Sequence, residues 1–139
     1  VTPTDASYEF GERGHIEYVH HSIDLVPEPR SARTARAFVD DHVRAYVAPE
    51  TADTAVLLTS ELVTNVVVHA RTPMRLHLDL TEHGIRVAVA DDAPRVPKAR
   101  ETHQGRLTGR GMNLVAALAS EWGVEPCPTG KTVWFELPA

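Results

Sequence analysis

"ELVTNVVVHA", residues 61–70, reads as the end of a helix covered on several sides, into which Glu61, Asn65 and His69 are set at intervals of four. Val56, Leu57 and Leu58 lead into it, and Leu62, Val63, Val66, Val67 and Val68 continue it. The pattern predicts a helix from about Thr51 to Ala70 that is apolar almost all round. At about 100° per residue, the three polar side chains fall within roughly 80° of one another and make one line along the helix. A carboxylate and an amide in such surroundings are costly unless paired, hydrogen-bonded or bound to a metal, so the line is a candidate site. An internal hydrogen-bond network or a wet helix edge accounts for it equally well. If a metal is held there, Glu and Asn oxygens suit Mg²⁺, whereas zinc calls for more His or a thiolate. Glu61 is alternatively a general base with a desolvated carboxylate, and His69 an orienting or packing histidine.

Working outward, Ala35, Phe38, Val39, Val43 and Tyr46 place a second apolar stripe on a helix over 31–47, with Pro29 and Ser31 at its start. Before it, "HIEYVHHSIDL", 15–25, is rich in β-branched and aromatic residues and stops at the two prolines of "VPEPR", which predicts a first strand. Residues 1–14 carry few large apolar groups and are expected to form a flexible N-terminal arm ahead of one domain over 15–139. After the central helix, "MRLHLDL" (74–80) and "IRVAVAD" (85–91) alternate apolar and polar residues about an "EHG" turn, a hairpin signal. Residues 92–110 hold prolines, glycines and charges, and so predict a long loop. A helix follows from about Gly111, and "WGVEP" and "KTVWFEL" close the chain as a second hairpin across "CPTG". Strands joined by tight turns and interrupted by helices predict an α+β two-layer sandwich, a mostly antiparallel sheet with about three helices on one face.

Composition narrows the function classes. A 139-residue chain with 42% hydrophobic and 24% charged residues is the size and make-up of one globular domain with a real core. The segments lack the roughly 20 consecutive apolar residues of a membrane span, and "VTPTDASYEF" lacks the pattern of a signal peptide, so no membrane association and a cytoplasmic location are expected. The single cysteine, Cys127, leaves no internal disulfide or Cys-rich zinc site. A net charge of −5 argues against direct nucleic-acid binding over a broad surface. Arginines gather at Arg30/Arg33/Arg36, a solvated helix face, and around Arg95–Arg110 in the loop.

Three further motifs bear on chemistry. Asp91-Asp92 ends the second strand of the first hairpin, where a carboxylate can accept from an exocyclic amine, hold a metal, or simply make a turn. "GRGMNL", 109–114, brings Gly-x-Gly into a helix start, offering backbone N–H groups and a positive dipole end to an anion, with Arg106 and Arg110 adding charge. Gly130-Lys131-Thr132 opens the last strand and is the weakest of the three, since Gly-Lys is common in hairpin turns.

Taken in this order, these pieces resemble the ATP-binding fold shared by DNA gyrase, histidine-kinase catalytic domains and MutL, the GHKL or Bergerat fold. "ELVTNVVVHA" is similar to its N-box, "VAVADDAP" to its first glycine box, "GRGMNLV" to its second, and "GKTVWFELP" to its last strand motif, a coverage from about Ile16 to Pro138. Within that group the wording is most similar to bacterial anti-sigma-factor serine/threonine kinases and their stand-alone ATP-binding relatives. The resemblance implies ATP and Mg²⁺ as cofactors. By it, Asn65 coordinates Mg²⁺ at the ATP phosphates, Glu61 orients or deprotonates an attacking hydroxyl, and Asp91 receives the adenine amino group. Gly109, Arg110, Gly111 and Met112, with Arg106 from the loop, wrap the nucleotide, and Thr132 supports the adenine end. One departure stands out: the usual Asp-x-Gly-x-Gly is Asp91-Asp92-Ala93-Pro94-Arg95 here.

The resemblance further implies a protein-serine/threonine kinase that phosphorylates a small antagonist protein and sequesters a sigma factor, commonly as a homodimer. The alternative is an ATP-sensing protein-binding module that transfers no phosphate. A histidine-kinase catalytic domain fits less well, because the paired His20-His21 fall within a strand, and a gyrase-like ATPase fits less well for want of room for a transducer.

Overall fold

A computed structural model of the chain describes residues 5–10, 16–93 and 110–139. The elements run β1 (Asp5–Phe10), β2 (Ile16–Leu25), α1 (Arg30–Val43), α2 (Pro49–Asn65) with a π-helical turn (Val66–Ala70), β3 (Met74–Thr81), β4 (Gly84–Asp91), α3 (Arg110–Leu118), β5 (Glu121–Cys127) and β6 (Gly130–Pro138). The six strands form one sheet in the order β1-β2-β3-β4-β6-β5, and every pairing is antiparallel. The α+β two-layer architecture expected from the sequence is the one found. It differs at the N-terminus: Asp5–Phe10, expected within a flexible arm, pairs with β2 as an edge strand. Ala6, Tyr8 and Phe10 alternate with polar residues there, a period-two signal masked by the surrounding Thr, Ser and Gly.

Period-two alternation builds the core. Leu76, Leu78 and Leu80 of β3 lie opposite Val89, Val87 and Ile85 of β4, and these opposite Val133, Phe135 and Leu137 of β6. All are buried on the face the helices cover. From the helix layer come Val39 and Val43 of α1, Leu58, Leu62 and Val63 of α2, and Val115 of α3. α1 starts behind the Glu28-Pro29 turn, where the buried Ser31 hydroxyl donates to the Val26 carbonyl at 2.6 Å. It is tied to α2 by Arg36 donating to the Ser60 hydroxyl at 2.9 Å.

The span Pro49–Ala70, 22 residues with a mean hydropathy of 1.2 in its most apolar stretch, is long and apolar enough by composition to cross a membrane, contrary to the expectation that no segment is. In this fold it is the central helix of the layer, with Ala52, Ala55, Leu58, Leu62 and Val63 buried. Its last turn loosens into a π-helix over three consecutive valines, whose β-branches crowd a tight α-helical ladder. Arg71 ends it in the left-handed region (φ 58°), its N–H bonded to the Val66 carbonyl at 2.7 Å.

The opposite face of the sheet carries polar and aromatic side chains. Arg86 sits 4.2 Å from the centre of the Trp134 ring and reaches Glu125 and Glu136, each at 3.6 Å. Beneath that indole lies Gly123, where a Cβ would fall 2.9 Å from two ring atoms. Further along, His20 Nδ1 donates to Asp79 at 2.6 Å and the His20 ring tilts against His77. On the helix side, His21 packs on His42 with ring centres 4.0 Å apart. Burial first, then the neighbouring His42 and His20, pushes the His21 pKa below its usual value, and burial does the same to His77.

Two expectations follow for stability. Gly123→Ala drives a methyl into the Trp134 ring, so chemical denaturation should show a loss of about 1–3 kcal/mol; an unchanged midpoint would mean that the indole moves freely. For His21, the folded-state pKa lies below the unfolded value of about 6.5, so the unfolded chain takes up the proton first. Its contribution is therefore present above about pH 6.5 and is lost as the pH falls below it. Urea unfolding at pH 7.5 and 5.5 should show a smaller acid loss in His21→Leu than in the parent protein; equal losses would assign the acid sensitivity elsewhere.

Candidate functional site

Three strand ends and one helix end converge on one corner of the sandwich. α2 leaves through Ala70 and a short turn into β3 at Met74, Met74 pairs with Asp91 at the end of β4, and Asp91 pairs with Lys131 at the start of β6. The turn is pinned to β4 by the Asp92 N–H, which donates to the Thr72 hydroxyl at 3.0 Å. Gly130 comes so close that a Cβ there would lie 1.9 Å from the Asp91 carbonyl oxygen. Asn65 stands five residues before Ala70, about 8 Å along the helix axis, and Glu61 one turn deeper.

Asn65 and Glu61 are both half-buried. The Asn65 side-chain nitrogen is shielded from solvent and has no hydrogen-bond partner among the described residues, an arrangement that costs about 1–3 kcal/mol where nothing pairs with it. Turning the amide over exchanges an orphaned N–H for an orphaned carbonyl oxygen, so the group serves either a phosphate oxygen or a metal ion. Glu61 makes no hydrogen bond or ion pair among the described residues. The expected third member departs from the line. The π-helical turn begins right after Asn65 and changes the angular step, and His69 is exposed instead of packing or orienting within the site.

Asp91 is 5% exposed and already engaged. Its Oδ1 accepts the Ala93 N–H at 3.0 Å, the turn geometry that Asp favours, and its Oδ2 accepts from Lys131 Nζ at 2.6 Å. The two side chains are 1% and 11% exposed. The sequence reading takes Lys131 only as part of a common Gly-Lys hairpin turn and gives it no role in the site. Its parity in "GKTVWFEL" could have found it, since Lys131 alternates with Val133, Phe135 and Leu137, all on the helix side. By the same parity Thr132, opposite Ala90, is on the other face of the sheet, away from Asp91. Thr132 therefore does not line this corner, contrary to the expectation from the resemblance.

The second glycine box is only partly described. Arg106 and Gly109 lie outside the described residues. Arg110 and Gly111 are the first two residues of α3, so the helix begins where the Gly-x-Gly reading places it. Met112, expected against the nucleotide, is 1% exposed and belongs to the core; its side chain holds α3 to the body. Among the described residues no three His, Cys, Asp or Glu side chains converge to hold a metal. A cation at Asn65 would therefore draw most of its ligands from water and phosphate, as Mg²⁺ at nucleotide sites does. A separate hollow of about 370 Å³ lies on the helix-free face, between Tyr18, Asp79, Arg86, Ser120 and Glu136, and contains none of these residues.

The family model for the histidine kinase-like ATPase domain matches residues 25–137, a span that runs from the end of β2 to β6. A solved structure of the RsbU and RsbW domains of Rv1364c from Mycobacterium tuberculosis is similar in fold, with a TM-score of 0.59 at 18% sequence identity. The match covers 83% of this chain and 31% of that one, so the chain spans less than a third of the matched protein. No curated protein matches the chain. Matched over most of its length by that family model, the chain belongs to the histidine kinase-like ATPase domain family.

Proposed function

We propose that the protein is a Mg·ATP-binding regulator that transfers the γ-phosphoryl group to a serine or threonine of a small antagonist protein, and that it also sequesters a sigma factor. The observation that supports the reading is the shielded Asn65 amide, unpartnered among the described residues, on the helix that leads through Ala70 and Met74 to Asp91. The ATPase family supports the nucleotide, and the resemblance to anti-sigma serine/threonine kinases supplies the acceptor class and the cytoplasmic setting.

The roles divide by chemistry. Mg²⁺, when bound with the nucleotide, offsets phosphate charge. Asn65 holds that metal–phosphate group through its side-chain amide, and Asp91 accepts the adenine amino group at the far end of the corner. Glu61 receives the proton of the acceptor hydroxyl as its oxygen bonds to the γ-phosphorus and ADP departs. Such transfer is mainly positioning and charge stabilisation, so a rigid amide and one poised carboxylate are sufficient protein contributions. One observation favours a second reading, an ATP-sensing module that binds its partner without transfer: no described residue orients Glu61 by a hydrogen bond, as a dedicated base normally is.

Calorimetric titration with Mg·ATP should show binding to the parent protein, at least tenfold weaker binding to Asn65→Ala, consistent with about 1.4 kcal/mol or more for a contact to a charged group, and little change for Glu61→Ala. No heat and no thermal stabilisation of the parent protein at millimolar nucleotide would remove the ATP reading. With labelled ATP and the cognate antagonist, the parent protein should transfer label while Glu61→Ala loses transfer by about 10²–10⁴-fold. Binding without transfer in the parent protein would leave the sensing module.

A further inference from the structure

The helix-free face of the sheet carries two imidazoles turned towards each other across neighbouring strands. His20 of β2 pairs in register with Asp79 of β3, and His77 lies two residues back along β3, opposite Ser22. Their shared parity puts all three side chains on the face away from the helices. Asp79 accepts the His20 Nδ1–H at 2.6 Å, with the two side chains 20% and 24% exposed. That bond fixes the His20 tautomer and leaves Nε2 as a lone pair, the part a carboxylate plays behind metal-binding histidines. His77 Nδ1 stands 3.4 Å from that Nε2, and the ring centres are 5.3 Å apart.

A ring-to-ring hydrogen bond and a shared ion both bring two imidazoles together, and the distances favour the ion. A straight N–H···N bond of this length would set the ring centres about 5.7 Å apart, and it would already be longer than an N–H donor usually makes. Two imidazoles bound at about 2.0–2.1 Å to one tetrahedral ion hold their nitrogens about 3.3–3.4 Å apart and their ring centres about 5.2 Å apart. Both values match those found. We propose that His20 Nε2 and His77 Nδ1 form a binding site for a zinc-like divalent ion that bridges β2 and β3, with Asp79 as its positioning residue and water in the remaining coordination positions. The nearby Arg75 does not oppose such an ion with a bare charge, because Asp24 pairs with it at 2.7 Å. Imidazole donors favour Zn²⁺ over Mg²⁺, so the site is chemically distinct from the Asn65 corner and stands without the nucleotide reading.

The test is calorimetric titration of the intact, nucleotide-free chain with Zn²⁺ alone, which should show saturable binding that excess Mg²⁺ does not displace. His20→Ala and His77→Ala should each weaken it by at least about tenfold, and Asp79→Ala by about 10–100-fold, the scale found for carboxylates behind metal-bound imidazoles. His69 is exposed on the helix side, and His69→Ala should leave the affinity unchanged. In the folded parent protein with ¹⁵N-labelled imidazoles, the His20 Nε2 and His77 Nδ1 signals should move together as Zn²⁺ is added, a response that needs no variant to fold. Absence of saturable binding, displacement by Mg²⁺, an affinity unchanged in both His20→Ala and His77→Ala, or imidazole signals that move only at other histidines would overturn the proposal.

Discussion

The alignment of β3, β4 and β6 is the constraint on which everything else in this molecule rests. Met74, Asp91 and Lys131 stand side by side across three strands, and a slip of one residue in either pairing would turn every side chain of that strand to the opposite face. The same register that buries Leu78, Val87 and Phe135 under the helices therefore points Asp91 and Lys131 towards the corner where α2 ends. Core and site are two consequences of one pairing. Gly130 is the point at which that pairing is tightest, with the Asp91 carbonyl occupying the space of an absent Cβ.

The helix side of the corner is governed by a different compromise. α2 buries one broad apolar face, from Ala52 and Ala55 through Leu58, Leu62 and Val63, whereas Leu57 and Val68, expected to be covered, are exposed; its half-buried edge carries Glu61 and Asn65. Rigid packing lets a polar group keep a costly, unpartnered position, as the Asn65 amide does. The π-helical turn after it releases the chain towards β3 and carries His69 into solvent. Asn65 and Glu61 thus stay on the packed length of the helix, and His69 marks where the helix lets go.

Much of this was legible in the sequence because it depends on periodicity. The 3.6-residue stripes of α1 and α2, and the alternation in β3, β4 and β6, set both the layers and the inward residues. What periodicity cannot carry went unread. The β1 strand is short and lies among turn-forming residues, so its pairing depends on β2 supplying the partner edge. The π-turn begins at three consecutive valines, Val66, Val67 and Val68, and a fixed 100° step ignores it. The resemblance implies Thr132, whose parity places it on the other face, and leaves Lys131 a turn residue, although its parity places it on Asp91. In both cases the local alternation was the better guide.

The central claim is that a nucleotide occupies the corner between Asn65 and the Asp91–Lys131 pair. Titrating ¹⁵N-labelled protein with Mg·ATP and following its amide resonances tests it site by site. The account predicts that the Asn65 side-chain NH₂ and the backbone amides of Asp91, Asp92 and Lys131 shift most. Shifts confined to the helix-free face, around His20, Asp79 and Arg86, with the Asn65 side-chain signal unmoved, would contradict it.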